Sequence, residues 1–250
     1  MTKQSGLGNA LYLDGYNLSG DINSLTRAGA PMTPNDVTGI DVSARERIGG
    51  QRDGVLTAVA YFNPASSGAH PVLSTLPRTD RVVSYLTGLT VGSPAACIVA
   101  KQVGYDGTRA SNGDLTFSVE AQGNGDGLEW CELATAAPRT DTAATNGTGF
   151  DAAAGASSAF GLQAYLHVSA FTGTSVTVKL QHSNDDAATD PYADVTGATF
   201  SAVTAAPTAQ RLATASGLTV KRWLRVVTTG TFSSAVFVLA VNRNLTATVF

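Results

Sequence analysis

Three histidines, His70, His167 and His182, are the only imidazoles this chain can offer to a catalytic or metal site. None has the HxxxH or HxH spacing that lets two rings reach one zinc ion. His167 falls opposite the apolar residues of its strand-like segment, so it reads as a solvated strand histidine rather than a ligand. The sequence has no GxSxG elbow and no GxxxxGK[ST] phosphate loop. Its densest glycine cluster, Gly123-Asn-Gly-Asp-Gly127, joins two strand-like segments, whereas dinucleotide binding needs a strand running into a helix. Glu129 and Glu132 flank Trp130 and Cys131, and odd spacing on a strand puts one carboxylate on each face. Glycosidase chemistry needs two that converge. Asn184, Asp185, Asp186 and Asp190 resemble a calcium loop but lack the glycine and terminal glutamate of an EF-hand, so a polar hairpin turn is the simpler reading. The cluster Lys221-Arg222-Trp223-Leu-Arg225 suits a sugar, phosphate or protein contact, or an amphipathic strand with snorkelling side chains. No catalytic constellation emerges. The expectation is a protein that is not an enzyme, with no cofactor and no metal.

The elements that would carry these residues are strands. Val55, Thr57, Val59 and Tyr61 alternate with Leu56, Ala58, Ala60 and Phe62, apolar on both sides, which suits a central strand. Leu115, Phe117 and Val119 alternate with polar neighbours, as do Leu162 to Val168 and Val176 to Leu180. Val220, Leu224 and Val226 share one face of a further segment, opposite Lys221, Trp223 and Arg225. Asp14-Gly15, Asp53-Gly54, Asp106-Gly107 and Asn112-Gly113 are hairpin-type dipeptides. Helical pattern is confined to His70-Pro-Val-Leu-Ser-Thr-Leu, with Pro71 in the first turn, and to a possible turn at Ser43-Ala-Arg-Glu-Arg47. The fold class that follows is all-β with one short helix.

Composition narrows the partners. Sixteen basic residues against nineteen acidic ones give a net charge of −3, with no basic footprint for gripping nucleic acid. Residues 1–150 hold ten basic and fourteen acidic side chains, and residues 151–250 hold six and five. Cys97 and Cys131 lack any framework spacing; two buried thiols or one disulfide remain open. The first residues show no apolar signal region, and the longest apolar run, Ala235 to Val241, is far short of the roughly 20 residues a membrane helix needs. The expectation is a soluble protein made in a cytoplasm. An Ala/Thr/Gly-rich stretch at 136–159 reads as a linker or extended arm between a β domain at 1–135 and a second β-sandwich at 160–250.

The run from Asp36 to Asn63 reads Asp-Val-Thr-Gly-Ile-Asp-Val-Ser-Ala-Arg-Glu-Arg-Ile-Gly-Gly-Gln-Arg-Asp-Gly-Val-Leu-Thr-Ala-Val-Ala-Tyr-Phe-Asn. It resembles the "DVT…A…(P)GxxDG-strand-FN" run of the major tail, or tail tube, proteins of long-tailed bacteriophages. Gly15-Tyr-Asn-Leu-Ser19, Leu76-Pro-Arg-Thr-Asp80 and Gly113-Asp-Leu-Thr-Phe-Ser118 extend the likeness. Val178-Lys-Leu-Gln-His-Ser183 and Lys221-Arg-Trp-Leu-Arg225 resemble the C-terminal part of such proteins in phages of actinobacteria. Ile48-Gly49 departs from the pattern, which commonly has a proline before the glycine. The resemblance implies a tail-tube β-sandwich with a flanking helix, assembled as stacked homo-hexameric rings around a lumen for DNA ejection. The implied partners are other copies of the chain, the tape measure, tail terminator and distal tail proteins, and DNA in transit without sequence-specific binding. The implied location is the tail of a siphovirus virion built in the host cytoplasm. A capsid decoration protein, or a host-surface carbohydrate or receptor module, is the alternative. On the tube reading, the loop from Thr33 to Gly54 orders against the next ring through Arg45, Glu46, Arg47, Arg52 and Asp53. Tyr165, Trp223 and Arg225 are the expected outer-surface contacts.

Overall fold

A computed structural model describes residues 5–76, 79–152 and 157–247. Pro77 and Arg78 of the Leu76–Asp80 motif, and 153–156 of the Ala/Thr/Gly-rich stretch, lie outside the described residues. In chain order the elements are β1 (Ala10–Leu13), β2 (Tyr16–Asn17), β3 (Ile22–Gly29), β4 (Met32–Asp36), β5 (Arg47–Arg52), β6 (Val55–Tyr61) and α1 (Ala69–Leu73). There follow β7 (Arg81–Leu86), β8 (Pro94–Arg109), β9 (Leu115–Gly123), β10 (Glu129–Leu133), β11 (Arg139–Asp141), β12 (Thr145–Asn146) and β13 (Phe150–Asp151). The last four are β14 (Leu162–Ser183), β15 (Ala193–Thr199), β16 (Thr208–Ala213) and β17 (Trp223–Arg243). The described residues are all-β with one short helix, as the alternation implied. Ser43 to Arg47 forms no helical turn but a bend leading into β5. Asp106-Gly107 lies inside β8 rather than at a turn, because both residues pair with β9.

Two compact units divide the chain. One comprises residues 1–20, 82–97 and 130–250; the other comprises 21–81 and 98–129. The units interleave, with β8 running from one into the other, where composition suggested successive domains on either side of 136–159. Composition reads a chain serially; pairing between distant strands leaves no mark on it.

The first unit is organised by the long antiparallel ladder of β14 and β17, from Leu162↔Arg243 to Ser183↔Trp223. Its register shifts between Val168 and Ser175, where Gly173 and Gly230 take positive φ. A Cβ on either glycine would meet partner-strand backbone within 2.4 Å, so glycine lets the strands bend in close contact. Side chains from both halves, Leu162 to Val168 and Val176 to Leu180, enter one buried cluster with Leu224, Val226, Phe237 and Leu239. The ladder therefore folds into two layers over a shared core. One layer adds β16, β10 and β11; the other adds β15, β12 and β13.

Residues 137–152 lie as an extended arm along β17. Arg139 donates from Nε and Nη2 to both Asp141 carboxylate oxygens at 2.8 and 2.7 Å, and from Nη1 to the Val226 carbonyl. Thr228 donates to Asp141 at 2.6 Å. A bidentate pair with its remaining valences filled can be buried where a bare charge could not. Elsewhere in this unit Asp14 and Gly15, both at positive φ, close the β1–β2 hairpin. Cys97 and Cys131 are buried free thiols.

The second unit is a four-stranded antiparallel sheet in the order β3-β6-β9-β8. β6 is central, with Leu56, Ala58 and Ala60 buried, while Val59 is half-buried and Tyr61 exposed. Its second face is thus less covered than its apolar sequence suggested. Ala69, Val72 and Leu73 of α1 are buried. Asp21 accepts the Ala69 N–H at 2.7 Å and Gln102 donates to the Leu73 carbonyl at 2.6 Å, so both ends of this one-turn helix are satisfied by the sheet. Of the net charge of −3, none comes from the first unit, with eight basic and eight acidic residues. All of it comes from the second, with eight and eleven.

Candidate functional site

β4 and β5 form a two-stranded sheet of their own, paired from Met32↔Arg52 to Asp36↔Arg47, and neither pairs with any other described strand. The turn end is tied by short polar bonds. Val37 N–H donates to the Glu46 carbonyl at 3.0 Å, Glu46 N–H donates to Thr38 Oγ1 at 2.9 Å, and Thr38 Oγ1 donates to Asp36 at 2.5 Å. Hydrogen bonds from the Thr38 hydroxyl and N–H hold the Asp36 carboxyl below the usual aspartate range. At the base, Asp53 N–H donates to the Pro31 carbonyl at 2.9 Å. Gly50 sits so close to β4 that a Cβ there would lie 2.5 Å from the Thr33 carbonyl oxygen.

Nearly every residue of this hairpin faces solvent. Met32, Val37, Ile40, Val42 and Ile48 are all exposed, Ile48 at 55% and Ile40 completely. An isolated two-stranded hairpin is marginal in water, because its backbone bonds only replace bonds to water and nothing apolar is removed from solvent. Five aliphatic side chains are thus bare on one projection, whereas scattered single exposures are the rule elsewhere on protein surfaces.

The five charged residues expected to act together do lie on this single hairpin. Arg45 and Glu46 are at its turn end, Arg47 and Arg52 are the ends of β5, and Asp53 follows it. All are exposed. Arg45 approaches Asp36 only at 4.0 Å, with the two side chains 72% and 52% exposed. Such a pair stabilises the free chain little.

The outer-surface residues fare differently. Tyr165 is fully buried: consecutive residues of β14 from Leu162 to Val168 are all buried, so the second face of the strand is covered as well as its first. Its expected role as a surface contact is corrected. Its hydroxyl accepts a hydrogen bond from Arg211 Nε at 3.1 Å. Trp223 is half-buried between Asp151 and Ser183 in the ladder. Arg225 donates to Gln181 at 2.8 Å and stacks over the Tyr192 ring at 4.3 Å. Tyr192 donates in turn to Asp186, and burial with that carboxylate pushes its hydroxyl far up.

His167 is likewise not solvated. It is buried, accepts the Gly15 N–H at Nδ1 over 3.2 Å, and so donates from Nε2 to Ser84 Oγ at 2.9 Å. Ser84 passes its own proton toward Cys97 Sγ at 3.2 Å. This chain is complete only with a neutral ring, and desolvation lowers the imidazole to about 3. Asp185 closes the 183–190 turn through bonds from Thr189 and the Asp190 N–H, which lowers it to about 2. Asp186 accepts from Tyr192, and Asp190 is paired with Lys221 Nζ at 2.8 and 2.7 Å, so each carboxylate of the calcium-like sequence already has a protein partner. Trp130, not among the expected outer-surface contacts, stands 57% exposed on β10. The inward Cys131 and Leu133 beside it were the available signal.

No family model matches this chain, and no curated protein does. Solved structures give loose likenesses. The tail of an empty gene transfer agent particle, from helical refinement with C6 symmetry, overlaps 51% of this chain and 98% of its own at 15% identity and a TM-score of 0.43. The SPP1 Dit protein, from the hub adsorption apparatus of phages infecting Gram-positive hosts, overlaps 93% and 98% at 9% identity and 0.35. The phage p2 baseplate in its activated conformation overlaps 93% and 97% at 10% identity and 0.33. All three come from tail, hub or baseplate assemblies.

Proposed function

We propose that this chain is a structural subunit of a phage-type tail, polymerising as stacked rings into the tube through which DNA is ejected. The observation that carries the reading is the β4–β5 hairpin, a projection with aliphatic and charged side chains and no covering surface among the described residues. In a stack, the hairpin of one copy packs on the next ring, burying Ile40 and Ile48. Arg45, Glu46, Arg47, Arg52 and Asp53 then set register and orientation. The free edge of β3 is a second surface that ring closure would pair. Confinement of the net negative charge to the second unit suits a conduit wall, since holding DNA takes Lys and Arg against its phosphates. The sequence resemblance to tail tube proteins supports the same role. It adds the tape measure, tail terminator and distal tail proteins as partners at the ends of the tube.

Negative-stain microscopy tests this directly. The intact protein is expected to form rings or tubes with a central channel. A variant with Met32 to Arg52 replaced by a short glycine linker is expected to stay monomeric with an unchanged β-type circular dichroism spectrum. Tubes of normal length from that variant would overturn the assignment. Trimers from the intact protein would instead mark a capsid decoration protein, and a monomer that captures glycans a receptor module.

A further inference from the structure

A pocket of about 210 Å³ opens in the first unit where β10 and the end of β17 meet the 150–152 arm. Trp130 lines it and is more than half exposed, so its indole face is open to a ligand in the concavity. Val241 and Ala152 form an apolar floor. Polar groups of both kinds converge around it. The Glu132 carboxyl is half-buried and raised by that burial. Arg243 is 6% exposed, with Nη2 donating to the Ala152 carbonyl at 3.4 Å, and Asn242, whose amide nitrogen donates to Gln163 and Asn244, adds an amide oxygen. Aromatic face, acceptor and donors within one small concavity are the makings of a specific ligand site.

We infer that this pocket binds a neutral pyranose, with the sugar's C–H face on the Trp130 indole and its hydroxyls between Glu132 and Arg243. The charge pattern decides the class of ligand. Glu132 is matched by Arg243 within the pocket, and Asp151 just outside it is matched by Arg222 at hydrogen-bonding distance. A cation drawn to the indole and Glu132 would meet buried Arg243, and an anion drawn to Arg243 would meet Glu132. A polyol hydroxyl can donate to the one and accept from the other. The volume of about 210 Å³ suits a single ring rather than a drug-sized ligand, whose pockets run to roughly 300 Å³ or more. The inference does not rest on the tail reading.

Saturation-transfer difference NMR on the full chain tests it, with methyl glycosides of glucose, galactose, mannose and rhamnose, and N-acetylglucosamine. At least one sugar is expected to give saturable transfer at millimolar concentrations, with sialic acid and choline inactive. Trp130→Ala is expected to weaken that sugar about tenfold. Glu132→Gln, which keeps the shape of the site, is expected to weaken it several-fold while the melting temperature stays unchanged. Silence across the whole panel, or a sugar signal indifferent to both substitutions, would overturn the assignment. So would a blue shift of Trp130 emission with rising protein concentration in a Trp223→Phe background, because a second copy would then be the occupant.

Discussion

Two antiparallel pairs, β14 with β17 and β4 with β5, use the same backbone chemistry and meet opposite fates. The long ladder sends alternate side chains into a core shared by its two halves, and further strands cover its edges. The short hairpin has neither core nor neighbour among the described strands. Pairing gives a strand its direction and register, while removal of apolar surface from water gives it stability. The hairpin therefore has its register but lacks most of its burial. Its aliphatic side chains stay in solvent in the single chain.

The comparison breaks first at the core. Phe237→Ala and Leu166→Ala are each expected to cost about 3–5 kcal/mol, read as a lowered urea midpoint. Ile48→Ala is expected to move the monomer's midpoint by no more than about 0.5 kcal/mol while slowing assembly. If Ile48→Ala unfolds the monomer as Leu166→Ala does, the hairpin is part of the fold and not an interface.

Glycine substitutions sharpen the same contrast. Gly15 has φ +86°, and a Cβ there would lie 2.5 Å from Thr208 N and 2.6 Å from the Val168 carbonyl oxygen. Gly15→Ala is expected to destabilise the protein by about 3 kcal/mol, through the left-handed backbone and a backbone clash that cannot relax. Gly50→Ala meets an equally close carbonyl, but in a hairpin that pairs with no other described strand. Its expected phenotype is a normal melting temperature with lost or irregular polymerisation.

Buried His167 makes the first unit sensitive to acid. Its folded value near 3 lies below the ordinary 6.5, so the unfolded chain takes up a proton that the folded chain refuses. Its neutral form incurs no penalty above about pH 6.5; below that, stability falls by up to about 1.4 kcal/mol per pH unit until the folded value is reached. At pH 5 the loss is about 2 kcal/mol. Urea midpoints measured between pH 7 and pH 4 are expected to decline, and to decline less steeply in His167→Gln. Equal slopes for both proteins would mean that carboxylates alone carry the acid response.

Much of this was legible in the residues. The alternation at Leu162–Val168 and Val176–Leu180 located both halves of β14, and Pro71 marked the helix. The charged residues of 45–53 do share one projection. What alternation could not reveal was whether the second face of a strand is wet. Tyr165 and His167 look outward-facing by period, but β14 is covered on both faces, so both are buried. Nor could composition show that the arm at 137–152 is held along β17. Arg139, Asp141 and Thr228 are distant in sequence or unremarkable alone, and their bonding exists only once the strands pair. Trp130 was visible as a residue; its pocket depends on β17 and the arm arriving beside it.

The smallest expected effect on the folded chain is also the most discriminating. Arg47 and Arg52 are exposed, and the ion pair at the turn end of the hairpin, Arg45 with Asp36, is long and solvated. Reversing both charges, as Arg47→Glu with Arg52→Glu, is expected to leave the monomer's stability within about 0.5 kcal/mol. If these arginines meet carboxylates on the next ring, the double variant faces like charges at every junction, and tubes should shorten or fail. Raised salt should then partly rescue the variant by screening the repulsion, and slow the wild type by screening the attraction. Opposite responses to one salt titration, followed by light scattering and counted by microscopy, would tie the effect to charge at the junction. Tubes of normal length from the double variant at low salt would remove these arginines from the interface and leave Ile40 and Ile48 to carry it.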